Sequence, residues 1–171
     1  ARHSGGGMGS WGRGLIVATR RNIFDGVPFR KGGEPTPFQT PLAKGWGVDL
    51  DQPMLPDLSE VSRWIGDMKR LGVKLVNLTM GNPYSNPHFG RPFETPPPDG
   101  YESPEPPLVG VDRHLRLAAQ LEREHPDLPM VGTGYSYLQE FFPQAGAANV
   151  AEGKIAFVGV GRASLPQPDF V

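Results

Sequence analysis

The chain contains no cysteine. That excludes disulfides, and it excludes zinc or iron–sulfur centres held by cysteine within this stretch. Charge of one sign is not in excess: 17 Lys and Arg stand against 18 Asp and Glu, for a net charge of −1. No broad field draws nucleic acid or an anionic membrane surface. No apolar run reaches the length of a membrane span, and the N-terminus lacks the apolar stretch of a secretory signal. A soluble, cytoplasmic setting is the expectation. Also missing are a Gly-x-Ser-x-Gly elbow, a Walker lysine motif and a Gly-x-Gly-x-x-Gly run after the first strand. No pair of histidines or carboxylates has metal-ligand spacing, so no metal is expected. The 171 residues suffice for one domain. They are too few for a complete eight-stranded α/β barrel, which takes about 250.

What is abundant is glycine and proline: 23 and 20 residues, about a quarter of the chain. That level raises the question of disorder. Their distribution answers it, because they crowd into positions 1–14, 26–56 and 81–110 and thin out in periodic segments between. Residues 1–14 read as a flexible N-terminal segment. Leu15-Ile16-Val17-Ala18-Thr19-Arg20 predicts a first strand with an apolar start and a polar end. A long loop over 21–56 follows, of a length that is usually functional where it occurs. Asp57 and Glu60 form a capping-box pair. After them Leu58, Val61, Trp64, Ile65, Met68 and Leu71 give one helical stripe, closed by Gly72. A second strand is predicted over 73–81 and a proline-rich loop over 82–110. A helix over 111–125 comes next, with Leu115, Leu117, Ala118 and Leu121 inward. A strand over 130–134, a helical stretch over 136–148 with Leu138, Phe141 and Phe142 inward, a strand over 155–161 and the start of a terminal helix complete the chain.

The repeated order of strand, loop and helix predicts an α/β fold with consecutive parallel strands. The long loops follow strands, so they gather at the carboxyl ends, where such folds place their chemistry. Two turns there carry the clearest signal. Gly132-Thr133-Gly134 and Gly161-Arg162 each end an apolar strand. Glycines admit an anion close to the backbone, and a guanidinium can grip it with two parallel bonds. The expected ligand group is a phosphate. The plain alternative is that the glycines only permit tight turns and that Arg162 pairs with a surface carboxylate. Arg20 ends the first strand and is either a ligand-binding cation or a structural one. Arg21 must point to the opposite side. Tyr84 and His88 are candidates for an acid or a stacking group, against a lid whose rings pack on the rim. His3, His114 and His125 read as incidental.

Four segments carry a resemblance. They are Leu15-Ile-Val-Ala-Thr-Arg20-Arg-Asn-Ile-Phe-Asp25-Gly, Val76-Asn-Leu-Thr-Met-Gly-Asn-Pro-Tyr-Ser-Asn-Pro-His88, Val131-Gly-Thr-Gly-Tyr-Ser136 and Val158-Gly-Val-Gly-Arg162. In this order they resemble flavin oxidoreductases of the old yellow enzyme family, in its NADH:flavin oxidoreductase and 2,4-dienoyl-CoA reductase branch. The resemblance covers residues 15–171 and implies the C-terminal half of an FMN-binding (β/α)8 barrel of TIM-barrel type. It implies hydride transfer from NADH or NADPH through FMN to an activated alkene or enoyl acceptor. Arg20 would stabilise negative charge on the reduced flavin at its pyrimidine edge, a catalytic and a cofactor-binding role. Thr79 and Gly81 would flank the ribityl phosphate tail. Gly132, Thr133, Gly134, Gly161 and Arg162 would wrap the phosphate. The family's acceptor-binding pair and proton donor belong to its first half and have no counterpart in these segments. A half-barrel has two open sheet edges, so self-association or pairing with a complementary N-terminal half is expected. Two alternatives stand beside the enzyme: a non-catalytic FMN- or phosphate-binding module, and a barrel that acts on a phosphorylated metabolite without flavin.

Overall fold

A computed structural model describes residues 14–96 and 98–161. Arg162, the expected terminal helix and nearly all of the N-terminal segment lie outside the described residues. The fold is α/β. Four strands form one parallel sheet: β1 (Ala18–Asn22), β4 (Leu75–Thr79), β5 (Met130–Gly132) and β6 (Phe157–Val158). A two-residue hairpin, β2 (Phe29–Arg30) with β3 (Glu34–Pro35), interrupts the first long loop. Helices α1 (Ser59–Arg70), α3 (Pro107–Glu124) and α4 (Phe142–Ala151) connect the sheet strands. A single short turn of helix, α2 (Pro87–Gly90), lies in the second long loop.

The strands lie side by side in sequence order, β1-β4-β5-β6. Right-handed crossovers between strands laid down in order put all connecting helices on one face. Packing agrees. Val76 and Leu78 of β4 and Met130 of β5 are buried with Val61 and Ile65 of α1 and Leu117, Ala118 and Leu121 of α3. A Cβ added at Gly146 of α4 would sit 2.8 Å from Val158, so β6 meets its helix on that same face. Each fully buried aliphatic of this layer contributes about 1.5–3 kcal/mol. The opposite face carries no helix among the described residues. Side chains alternate along a strand, so Ala18, Arg20 and Asn22, then Leu75, Asn77 and Thr79, then Val131 and Phe157 point to that bare side. Ile16, just before β1, is 69% exposed and Phe157 is 55% exposed.

Several boundaries differ from the sequence-based expectation. The first strand starts at Ala18 rather than Leu15, because its partner β4 begins at Leu75, the Cα partner of Ala18. Helix α3 starts at Pro107, four residues earlier than its periodicity suggests, since proline suits the first helical turn. The stretch after β5 divides into a tight helical segment (Tyr135–Phe141) and α4. A kink falls inside the first of these at Gln139, with φ 50°, and Pro143 sits in the first turn of α4, where its missing N–H costs nothing. Phe141, expected inward, is 67% exposed. The N-cap of α1 is Leu58 and makes no side-chain cap bond; Asp57, one residue before it, accepts from the Ser59 backbone N–H at 2.9 Å, so the expected capping box does not form. Gly72 takes the expected left-handed conformation, φ 88°, after that helix.

Candidate functional site at the carboxyl ends of the strands

The strand register brings four residues into one row across the bare face: Arg20, Asn77, Val131 and Phe157. Neighbouring strands lie about 4.8 Å apart, so Arg20 and Asn77 are direct neighbours. Arg20 is exposed and has no ion-pair or hydrogen-bond partner among the described residues. Asn77 Oδ1 is buried and also unpartnered. An orphaned buried acceptor costs about 1–3 kcal/mol, so this half of the row is unsatisfied as it stands. Arg21 faces the other way, as alternation requires. Its guanidinium stacks 4.3 Å above the Trp46 ring and 5.8 Å from Trp64 of α1. The Trp46 indole N–H donates to Asn22 O at 2.5 Å, which fixes the end of β1.

Above this row the strand ends are polar. Asn22 Nδ2 donates to Asp25 Oδ1 at 2.6 Å and to Gly81 O at 3.1 Å. Burial raises the Asp25 carboxyl, partly offset by Arg21. Gly81 turns the chain with φ 64°, and its N–H donates to Phe24 O at 2.9 Å. A Cβ there would strike the Phe89 side chain at 2.7 Å, so packing alone explains this glycine. Thr79 ends β4 on the bare side. Strands β5 and β6 are neighbours, and Gly159 N–H donates to Gly132 O at 2.7 Å, so their two terminal turns adjoin. Gly134 has φ 95°. The Thr133 hydroxyl donates to Leu78 O at 2.7 Å, which ties this turn to β4. Gly161 is exposed at the end of the described chain. The structure thus gathers Arg20, Thr79, Gly132, Thr133 and Gly134 at one end of the sheet. It commits the Thr133 proton and the Gly81 N–H to the protein itself.

The two long loops are knitted together beside these ends. Asn86 is buried; its Nδ2 donates to Asp25 O at 2.7 Å and Val27 O at 2.9 Å, and its Oδ1 accepts from Asn82 N–H at 2.5 Å. His88 is buried, with Nδ1 2.6 Å from the Tyr101 hydroxyl and the Phe29 ring at 4.6 Å. Burial lowers the His88 pKa to about 4 and raises Tyr101 to about 12. His88 therefore belongs to the packed loop and not to an open acid site. Tyr84, by contrast, is 95% exposed. Arg113 forms a two-pronged pair with Glu105, one bond at 2.7 Å, and its guanidinium lies 4.9 Å over the Phe89 ring.

The histidines depart most from expectation. His114 is buried, and its Nε2 lies 2.7 Å from Phe89 O. Burial lowers its pKa to about 4. His125 Nε2 sits 2.8 Å from the Ser62 hydroxyl, linking α3 to α1. His114 had a sequence signal: it falls on the stripe Val111, His114, Leu117, Ala118, Leu121, the buried face of α3. Asn77 and Asn86 had none beyond strand alternation and an Asn-Pro turn.

Among the described residues no cluster of His, Asp or Glu is placed to hold a metal ion, and no helix is long and apolar enough to cross a membrane. A cavity of about 520 Å³ lies between α1 and α3, lined by Asp49, Asp57, Ser62, Gln120 and Glu124 among others, apart from the strand ends. Among the described residues the bare face therefore presents an unpaired cation beside an orphaned amide, with glycine turns two strands away. Comparison of the chain with protein-family models, with curated proteins and with solved structures found no match.

Proposed function

We propose that this chain is the C-terminal half of a TIM-type (β/α)8 barrel that binds FMN and serves an NAD(P)H-dependent oxidoreductase of the old yellow enzyme type. The observation that carries the reading is the sheet: parallel, sequentially ordered and, among the described residues, clothed with helices on one face only, with Arg20 unpaired on the other. Parallel sheets occur almost only with both faces covered. Closing four such units with four more would turn the bare side into a barrel interior. The outer edges of β1 and β6 are the open ends of this sheet. A covering partner follows from them, either a second copy or a complementary N-terminal half.

The fit to FMN is partial but specific. Arg20 supplies the free cation for the electron-rich ring edge, and Asn77 lies next to it with an acceptor in want of a donor. Gly132 and Gly134 would supply backbone at a tight turn for the phosphate, with Gly161 beyond the adjoining strand; Arg162, the cation expected there, lies outside the described residues. Thr133 contributes by shaping the turn, since its proton is held by Leu78 O. Bound flavin would supply hydride transfer between the nicotinamide donor and an activated alkene. The chain's own residues bind and orient it. Arg20, fixed on a strand, favours negative charge beside it at no cost in reorganisation.

A specific observation favours the second reading, a flavin- or phosphate-binding module without turnover. The described residues on the bare face, Arg20, Asn77, Thr79 and Val131 among them, include no acid that could donate a proton. The absorbance spectrum separates the readings. The enzyme reading expects purified chain reconstituted with FMN to be yellow and to bleach with NADH or NADPH under argon. Bound flavin that neither donor bleaches supports the module, and no affinity for FMN removes both. In the flavin-bound protein, Arg20→Ala should lower the flavin's reduction potential while changing the unfolding free energy by no more than about 0.5 kcal/mol, as for an unpaired surface residue.

A further inference from the structure

The best-defined contacts near the strand ends converge on His114. Its Nε2 faces the Phe89 carbonyl at 2.7 Å, so that nitrogen carries the proton and donates. Nδ1 of the neutral ring is then an acceptor, and it faces the Thr133 hydroxyl at 3.5 Å. That hydroxyl already donates to Leu78 O at 2.7 Å, so a second acceptor stands ready for the same proton. The ring itself lies under Gly134. A Cβ added there would sit 2.8 Å from His114 Cγ and 2.9 Å from its Cβ. Gly134 holds φ 95°, a conformation a side chain disfavours, and it immediately precedes Tyr135, the first residue of the next helical segment. On the far side, Phe89 is part of α2 and is itself pinned by the neighbouring Arg113. The imidazole thus touches two separate segments with two different parts of its structure.

We infer that His114 is a positioning residue: its Cβ, Cγ and Cδ2 atoms beneath Gly134 set the Thr133–Gly134 turn, and its Nε2 ties that turn to α2. The turn at the end of β5 and the loop after β4 then hold their relative place through one buried side chain. The functional arm rests on reading that turn as a phosphate cradle; the structural arm does not.

Two substitutions divide the roles. His114→Gln keeps a donor near the Nε2 position but replaces the rigid ring under Gly134, Cδ2 included, with a flexible stem that retains only Cβ and Cγ there. His114→Phe keeps a rigid ring and removes the donor, leaving Phe89 O without a partner. Hydrogen exchange of the whole chain reads both. The Gln variant should speed exchange in residues 132–136 and leave 87–91 near the parent. The Phe variant should do the reverse. In flavin titrations followed by fluorescence, the Gln variant should lose about tenfold in FMN affinity while riboflavin, which lacks the phosphate, changes by less than about twofold. A structural role alone would shift both ligands together. Unchanged exchange at 132–136 in the Gln variant overturns the proposal, whatever the parent's affinity for flavin. Should the Gln variant fail to fold, equal loosening of both segments in the Phe variant overturns it, and loosening confined to 87–91 upholds it. A parent that binds neither FMN nor inorganic phosphate, together with the expected exchange pattern, removes the flavin reading and leaves His114 in its positioning role.

Discussion

Replacing Asn86 with alanine should cost far more than the loss of a loop side chain usually does. The amide makes three bonds, to Asp25 O, Val27 O and Asn82 N–H, and the residue is almost wholly buried. Each intramolecular bond contributes about 1 kcal/mol net, and a buried group left without its partner costs about 1–3 kcal/mol. Asp25 and Asn82 lie near solvent and can recover part of the loss from water. Val27 is buried and cannot. The sum is about 3–4 kcal/mol for Asn86→Ala. With a urea slope of about 2 kcal/mol per M, the unfolding midpoint should fall by about 1.5–2 M. Hydrogen exchange should locate the damage in residues 25–30 and 82–86, with β4 and α3 little changed. Asn86→Asp sharpens the test. It keeps an acceptor for Asn82 N–H but sets a carboxylate oxygen against two carbonyls, so at pH 7 it should be no more stable than the alanine variant. A midpoint shift below about 0.5 M for Asn86→Ala, with exchange at 25–30 unaltered, would refute the view that one side chain holds the two loops together.

Two other outcomes are expected. His88 and His114 are held neutral with pKa values near 4, against about 6.5 in an unfolded chain. Their contribution is therefore complete above about pH 6.5 and is lost as pH falls from there towards 4. Urea midpoints measured between pH 7.5 and 4.5 should decline on the acid side, and His114→Gln should flatten part of that decline; a level profile contradicts it. Phe157 is half-exposed on the bare face at the sheet edge. Sedimentation at micromolar concentration should show the parent associating and Phe157→Asp shifted towards monomer, whereas a parent that stays monomeric at that concentration speaks against a covering partner.

The periodic parts of the chain were legible in advance, and the reasons are local. The stripe Val61, Trp64, Ile65, Met68 marks α1, and runs of Val, Leu and Met mark β4 and β5, because apolar spacing is set by which face meets the core. The strand ends were harder to place. Where β1 begins depends on the length of β4, a partner more than fifty residues away, and no local property of Leu15 encodes it. The loops were least legible. The Asn-Pro turns around Asn82 and Asn86 announce bends, but nothing in their order reveals that Asn86 reaches back to Asp25 and Val27. That the glycine turns and Arg20 lie towards the carboxyl ends of their strands followed from the order of apolar runs and turns. The unsatisfied amide of Asn77 and the buried imidazole beneath Gly134 emerged only when separate elements were brought together.

The one-sided clothing of the sheet has a consequence for how such a chain can evolve. Every strand meets its successor through the same kind of edge, and every crossover lands on the same layer. A unit can therefore be copied, appended or exchanged without rerouting the backbone of the others. Architectures that wrap both sides of a sheet lack this freedom, since their connections must reverse direction midway. A chain built in this manner suits assembly from duplicated or recombined pieces, each joined to the next along the same kind of margin.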